Sequence, residues 1–182
     1  MRQRSSLLSL IVLSSTIGWA QPAPDLVKLR NQTEIFENII GEVLRQNFDN
    51  PFALEDEPQA AYLPGYGVVV SFFLRINRAT VRTPFGNMPT PRAKAKLSAQ
   101  EQIQKIKEIM IQTLGDYGNA LTQVSKGDKI AVCAHVEDRN EIETSKRETT
   151  IILTVLKSDV DLYAAREVTM DQFANRIEIL EY

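Results

Sequence analysis

A chain of 182 residues with 21 basic and 23 acidic side chains carries a formal charge of −2, a mildly acidic balance that favours solubility and gives no sign of nucleic-acid binding. Cys133 is the only cysteine and His135 the only histidine, so an intramolecular disulfide is excluded and a zinc site built from several His and Cys ligands lacks its material. The length suits one domain, since chains near 150 residues bury about 70% of the surface they expose when unfolded.

The N-terminus reads as an export signal over residues 1–20. Met1-Arg-Gln-Arg4 is a short basic start, and the mostly apolar run Leu7 to Trp19 is long enough for a signal-peptide core. It is too short for a bilayer span, which needs about 20 residues. The run closes on Gly18-Trp19-Ala20, with small residues three and one before a cut after Ala20. No cysteine stands at the junction and Arg2 and Arg4 are not adjacent, which argues against lipoprotein and twin-arginine export. Removal of the segment takes two arginines and no acids, leaving 19 basic and 23 acidic residues on a single domain spanning 21–182. A periplasmic or extracellular protein is expected, not integral to the membrane if the signal is cleaved, the alternative being an uncleaved anchor that tethers the same domain on the same side.

The first periodic segment, Asp25 to Asn47, places Leu26, Leu29, Thr33, Phe36, Ile40 and Leu44 every three or four residues, an amphipathic helix. From Phe48 to Ala61 the pattern dissolves into an acidic, proline-containing loop. Pro64-Gly65 then predicts a turn that launches a strand over 66–77. In that strand Val68, Val70, Phe72, Leu74 and Ile76 alternate with Val69, Ser71, Phe73 and Arg75, which reads as a central strand covered on both faces, at least near its start. Four prolines or glycines between Arg78 and Lys96 forbid a long element there, except for a short strand near Thr80 to Thr83.

Ser98-Ala-Gln-Glu101 is a capping box that opens a long helix over 98–125, weakened in its C-terminal half by Gly115 and Gly118. Either the helix breaks at these glycines or another backbone approaches them closely. Residues 129–137 and 149–157 are β-branched strands forming an antiparallel hairpin across a charged connection. Ser158 is expected to cap a short helix reaching Arg166, and the box Thr169-Met-Asp-Gln172 opens a last helix carrying Phe173 and Ile177. The class is therefore α+β, a small mixed sheet of three to four strands packed with the long and N-terminal helices. If the first two strands are adjacent and parallel, their crossover is right-handed.

Catalytic chemistry finds little material. A nucleophile with a histidine base would have to use His135, and Cys133 lies two residues away on the same strand face, where side chains stand side by side rather than converging on a substrate. Glu55-Asp-Glu57 lacks the spaced ligands of a calcium loop, and Gly65-Tyr-Gly67 precedes a strand rather than opening a helix, so neither metal nor nucleotide binding is indicated. No cofactor is expected.

One charge feature stands out. Arg75, Arg78, Arg82, Arg92, Lys94 and Lys96 form a basic run without an acid, and Phe85 and Met88 lie inside it. Arg78, Arg82, Phe85, Met88 and Arg92 are candidate contacts to an envelope protein or an anionic polymer. The competing reading folds this proline-rich loop, 78–96, onto the acidic segment 49–57 of its own domain.

Three short patterns, Tyr62-Leu-Pro-Gly-Tyr-Gly67 with the valines that follow, Leu114-Gly-Asp-Tyr-Gly-Asn-Ala-Leu121, and Lys157-Ser-Asp-Val-Asp-Leu-Tyr163 with Phe173 downstream, resemble an uncharacterised family of bacterial exported proteins. The resemblance implies an exported domain and transfers no catalytic residue. Two functions follow from the sequence: a non-catalytic envelope binding module, and, as its alternative, a carboxylate-dependent hydrolase acting on envelope or extracellular material.

Overall fold

The structure, a computed structural model, describes residues 23–48, 53–76, 80–84, 86–89, 98–138 and 147–182. The segment read as the export signal lies outside these residues. Helix α1 spans Leu26–Asn47, and Asp25 caps it by accepting from the amides of Val27 and Lys28. Its inward stripe is the periodic one: Leu29, Phe36, Ile40 and Leu44 are buried, whereas Leu26 stays exposed.

The acidic segment between α1 and the first expected strand is more ordered than its composition predicts. It contains β1, Ala53–Leu54, and β2, Gln59–Leu63, both antiparallel to β3, Gly67–Ile76. Few of these residues are β-branched. The ladder with β3, the half-buried Ala60 and Tyr62 against the core, and the Glu37 carboxylate accepting from the Ala60 amide at 2.5 Å override the weak local propensity. The Pro64-Gly65 turn forms as expected, with the Tyr66 amide donating to the Leu63 carbonyl and Gly65 at φ +78°, the left-handed position of a type II turn.

Helix α2 runs over Ala99–Tyr117, and Ser98 with Glu101 completes the capping box at its start. The long helix thus stops about two turns short of the expected end, passing into a single 3-10 turn at Gly118–Ala120. What approaches the two glycines is side chains rather than another backbone. A Cβ on Gly115 would lie 2.9 Å from Tyr163 and 3.1 Å from Phe173, and one on Gly118 would lie 3.1 Å from Val160. Both glycines make room for α3, Lys157–Ala164, and α4, Met170–Ala174, to pack against the end of α2. Ser158 does not cap α3, which begins one residue earlier behind Leu156 with no side-chain cap; Thr169 and Gln172 do form the box that opens α4.

Strand β6, Lys129–Asp138, lies parallel to β3, and β7, Arg147–Leu156, is antiparallel to β6 in an unbroken register. The last helix is shorter than expected, and Ile177 lies beyond it. The chain then forms β8, Glu178–Glu181, on the free edge of β7. The mixed sheet has strand order β1-β3-β6-β7-β8, with β2 beside β1 on the same edge of β3, so six strands occupy five positions where three or four were expected. The fold class is α+β. Among the described residues, no helix is long and apolar enough to cross a membrane.

One face of the sheet holds the core. Val68, Leu74, Ile130, Ile151 and Leu153 are fully buried and join Phe36, Ile106, Leu114, Val160 and Phe173 of the four helices in one cluster. Docking of the C-terminus depends on the β8 ladder and on Ile177, which is 8% exposed, rather than on Ile179 and Leu180, which remain exposed. Deleting residues 177–182 removes about 2 kcal/mol of apolar burial along with the ladder, and is expected to lower the melting temperature by about 5 °C or more. A calorimetric scan of the truncated chain that matches the full one would refute this.

Candidate functional site

The strand side chains that alternate with the core row define the site, because among the described residues no helix packs on their side of the sheet. Strand β3 contributes Val69, Ser71, Phe73 and Arg75, all half-buried and none part of the core cluster. Register places Ala131, Cys133, His135 and Glu137 of β6 beside them, then Thr150, Ile152 and Thr154 of β7. Leu180 of β8 sits next to Ile152 and is 55% exposed, and Leu156 on the same row is 39% exposed. Among the described residues no helix covers the second face of β3, although Ala131, beside Val69 near the start of the strand, is 2% exposed.

At the middle of this face the thiol of Cys133 lies 3.4 Å from His135 Nε2, and His135 Nδ1 lies 3.3 Å from Thr150 Oγ1. The two residues that share a strand face do touch, with a hydroxyl behind the ring in the place an orienting group would hold. The chemistry of a nucleophile does not follow. Burial pushes the Cys133 thiol up, so it is protonated at neutral pH. The surrounding backbone amides are committed to the β3, β6 and β7 ladders and offer no oxyanion donors.

One end of the face is charged. Glu137 is 2% exposed and accepts from Arg75 Nε at 2.7 Å, while the same guanidinium donates to Glu55 and lies 5.8 Å from the Phe73 ring centre. Arg75 thus holds two carboxylates, those of Glu55 and Glu137, in ion pairs instead of leaving them to line a cleft as an acid and a base. At the opposite end Lys129 pairs with Glu178 at 3.6 Å. Among the described residues, no group of three or more His, Cys, Asp or Glu side chains is arranged to hold a metal ion.

A second, polar hollow opens where two of the short sequence patterns meet, lined by Asp116, Asn119, Tyr163, Arg166 and Val168. Tyr163 stacks on Phe173 with ring centres 5.0 Å apart, and its hydroxyl donates to Asp116 at 3.4 Å; burial and the Asp116 carboxylate push its phenol up. Arg166, at φ +61°, is the one non-glycine residue in the left-handed region among those described. Its amide donates to Tyr163 and that of Glu167 to Leu162, the paired bonds of a Schellman ending in which glycine normally holds the turn. Arg166→Gly is expected to stabilise the chain by about 1 kcal/mol in urea unfolding, by removing the left-handed penalty of a side chain. An unchanged or lower midpoint would mean that the arginine side chain contributes as much as its conformation costs.

Compared with family models, curated proteins and solved structures, the chain matches none.

Of the candidate contacts in the basic segment, Arg78, Phe85 and Arg92 lie outside the described residues. Arg82 and Met88 belong to a separate two-stranded hairpin, β4 at Thr80–Thr83 and β5 at Gly86–Pro89, with Arg82 opposite Asn87 and Val81 opposite Met88. The short strand expected near Thr80 is therefore present and has a partner. Sequence reasoning missed the sheet face as a surface. Its signal was the mixture of Ser71, Cys133 and Thr150 among the apolar residues of the second row, which a strand buried on both sides would not carry.

Proposed function

We propose that this chain is an exported, non-catalytic binding module of the bacterial envelope whose interaction surface is the sheet face that no described helix covers. The observation that carries the reading is the cross-strand row Ser71, Cys133, Ile152 and Leu180, with Phe73 one rung away, half-buried or exposed beside a fully packed core face. Apolar side chains ringed by charge are the anatomy of a protein contact, with a dry centre and a polar rim. Both ends of the row carry salt bridges containing both signs, which favours a protein partner over an anionic polymer. The basic start, apolar run and small-residue junction of residues 1–20 support export.

The test is an in-cell crosslinking pull-down of the native protein beside two variants: Phe73→Glu with Leu180→Glu on the sheet face, and Arg82, Phe85, Met88 and Arg92 all changed to Ala. Loss of the captured protein from the folded sheet-face variant alone supports the reading. Loss from the alanine variant alone moves the surface to the hairpin segment, and capture of nothing by the native protein overturns the proposal.

A further inference from the structure

We infer that the partner on this face is a second copy of the same chain, an inference that rests on the reading of the face as the interaction surface. Area is the first support. Five strand positions spaced about 4.8 Å apart, with strands about 26 Å long between Gly67 and Arg75, give about 600 Å² in projection. Side-chain relief raises that toward the ~800 Å² per partner that a specific interface buries.

Relief is the second support. Along the central strand β6 the residues Ala131 and Cys133 on this face are small, Ala131 is 2% exposed and Cys133 half-buried, so the strip they occupy lies lower than the longer side chains beside it. Val69 of β3 stands beside Ala131, and Ile152 of β7 with Leu180 of β8 beyond it stands beside Cys133, whose neighbour on β3 is the small Ser71. A surface that carries a ridge next to a trough matches its own two-fold copy, because rotation lays the ridge of one sheet into the trough of the other. The central positions of β3, β6 and β7 hold no acidic or basic side chain apart from the imidazole of His135, so two copies meet without opposing like charges.

Cys133 stands in the third of five strand positions and near the middle of β6, the centre of the face. A two-fold axis through that centre brings Cys133 near its own copy. Sheets packed face to face are about 10 Å apart, and a disulfide needs Cα atoms within about 7 Å, so the thiols are sequestered rather than joined. As the only cysteine, Cys133 is a built-in reporter of whether the face is covered.

The experiment is sedimentation of the purified protein at micromolar concentrations, with the rate of Cys133 modification by a water-soluble disulfide reagent read on the same samples. The expected result is twice the chain mass and a thiol that reacts at least about tenfold more slowly than in Leu180→Glu, which sediments as a single chain. Val27→Glu, on an exposed turn of α1, is the folded control and stays paired. A native protein of single-chain mass whose thiol reacts as fast as that of the variant overturns the inference. So does pairing that persists in both Leu180→Glu and Ile152→Glu. Should the single-chain protein still capture a different protein through this face, self-pairing fails while the interaction surface stands.

Discussion

Gly67→Ala is expected to destabilise the chain by about 4 kcal/mol, a large part of the 5–15 kcal/mol that a domain of this kind possesses. A Cβ at this position would lie 1.9 Å from the carbonyl oxygen of Lys129 and 2.8 Å from its nitrogen, and both are backbone atoms held in the first rungs of the β3–β6 ladder. The glycine also sits at φ +127°, where a side chain adds about 1–2 kcal/mol of its own. Relief of the overlap requires β3 to move away from β6, at the point where the Lys129 amide donates to Tyr66 at 2.7 Å. Gly65→Ala is the matched control: it shares the positive φ, at +78°, but nothing lies within 4 Å of its Cβ, so its cost is about 1 kcal/mol. Urea unfolding of the two variants separates them, and equal losses would mean that the close approach of the two strands is not as drawn.

Phe173→Ala comes next, with an expected loss of about 4 kcal/mol from the cavity and the missing burial. Phe173 is fully buried, contacts the bare backbone of Gly115 and stacks on Tyr163, so it joins α2, α3 and α4 at one point. Helix α4 is five residues long and Phe173 is its one buried side chain. The loss is therefore expected to be uneven, with amides of residues 169–182 exchanging fastest because β8 hangs from the same segment. Hydrogen exchange that rises uniformly across the sheet instead would argue against this anchoring role.

These two positions also show what the sequence could and could not reveal. Strands β3, β6 and β7 were legible because β-branched residues alternate over ten positions, and α1 because its apolar residues recur at helical spacing. Strands β1, β2 and β8 were not, since Gln59-Ala-Ala and Glu178-Ile-Leu-Glu are strands only by virtue of the neighbour that pairs with them. The apolar stripe beyond Tyr117 was real, with Leu121 and Val124 both buried, but they reach the core from a turn and not from a continued helix. The side chains packed tightly at Gly115 and Gly118, near the end of the helix, come from residues more than 40 positions away. For the site, the placing of Cys133 and His135 side by side on one strand face followed from strand geometry, while the face as a surface was signalled only by Ser71, Cys133 and Thr150, because Val69 and Phe73 have the same composition whether a second layer covers them or not.

The parallel pairing of β3 with β6 spaces every rung of that ladder 62 residues apart, as Arg75 and Glu137 illustrate. During synthesis, β3 therefore has its antiparallel neighbours but no second side until the chain has grown past Asp138, and helix α2 has no finished sheet to lie on. Loop closure over that distance must precede most of the burial, which makes assembly slow and leaves partial chains without a stable fold. A chain built this way keeps an unfinished sheet for as long as about its last quarter has not been made.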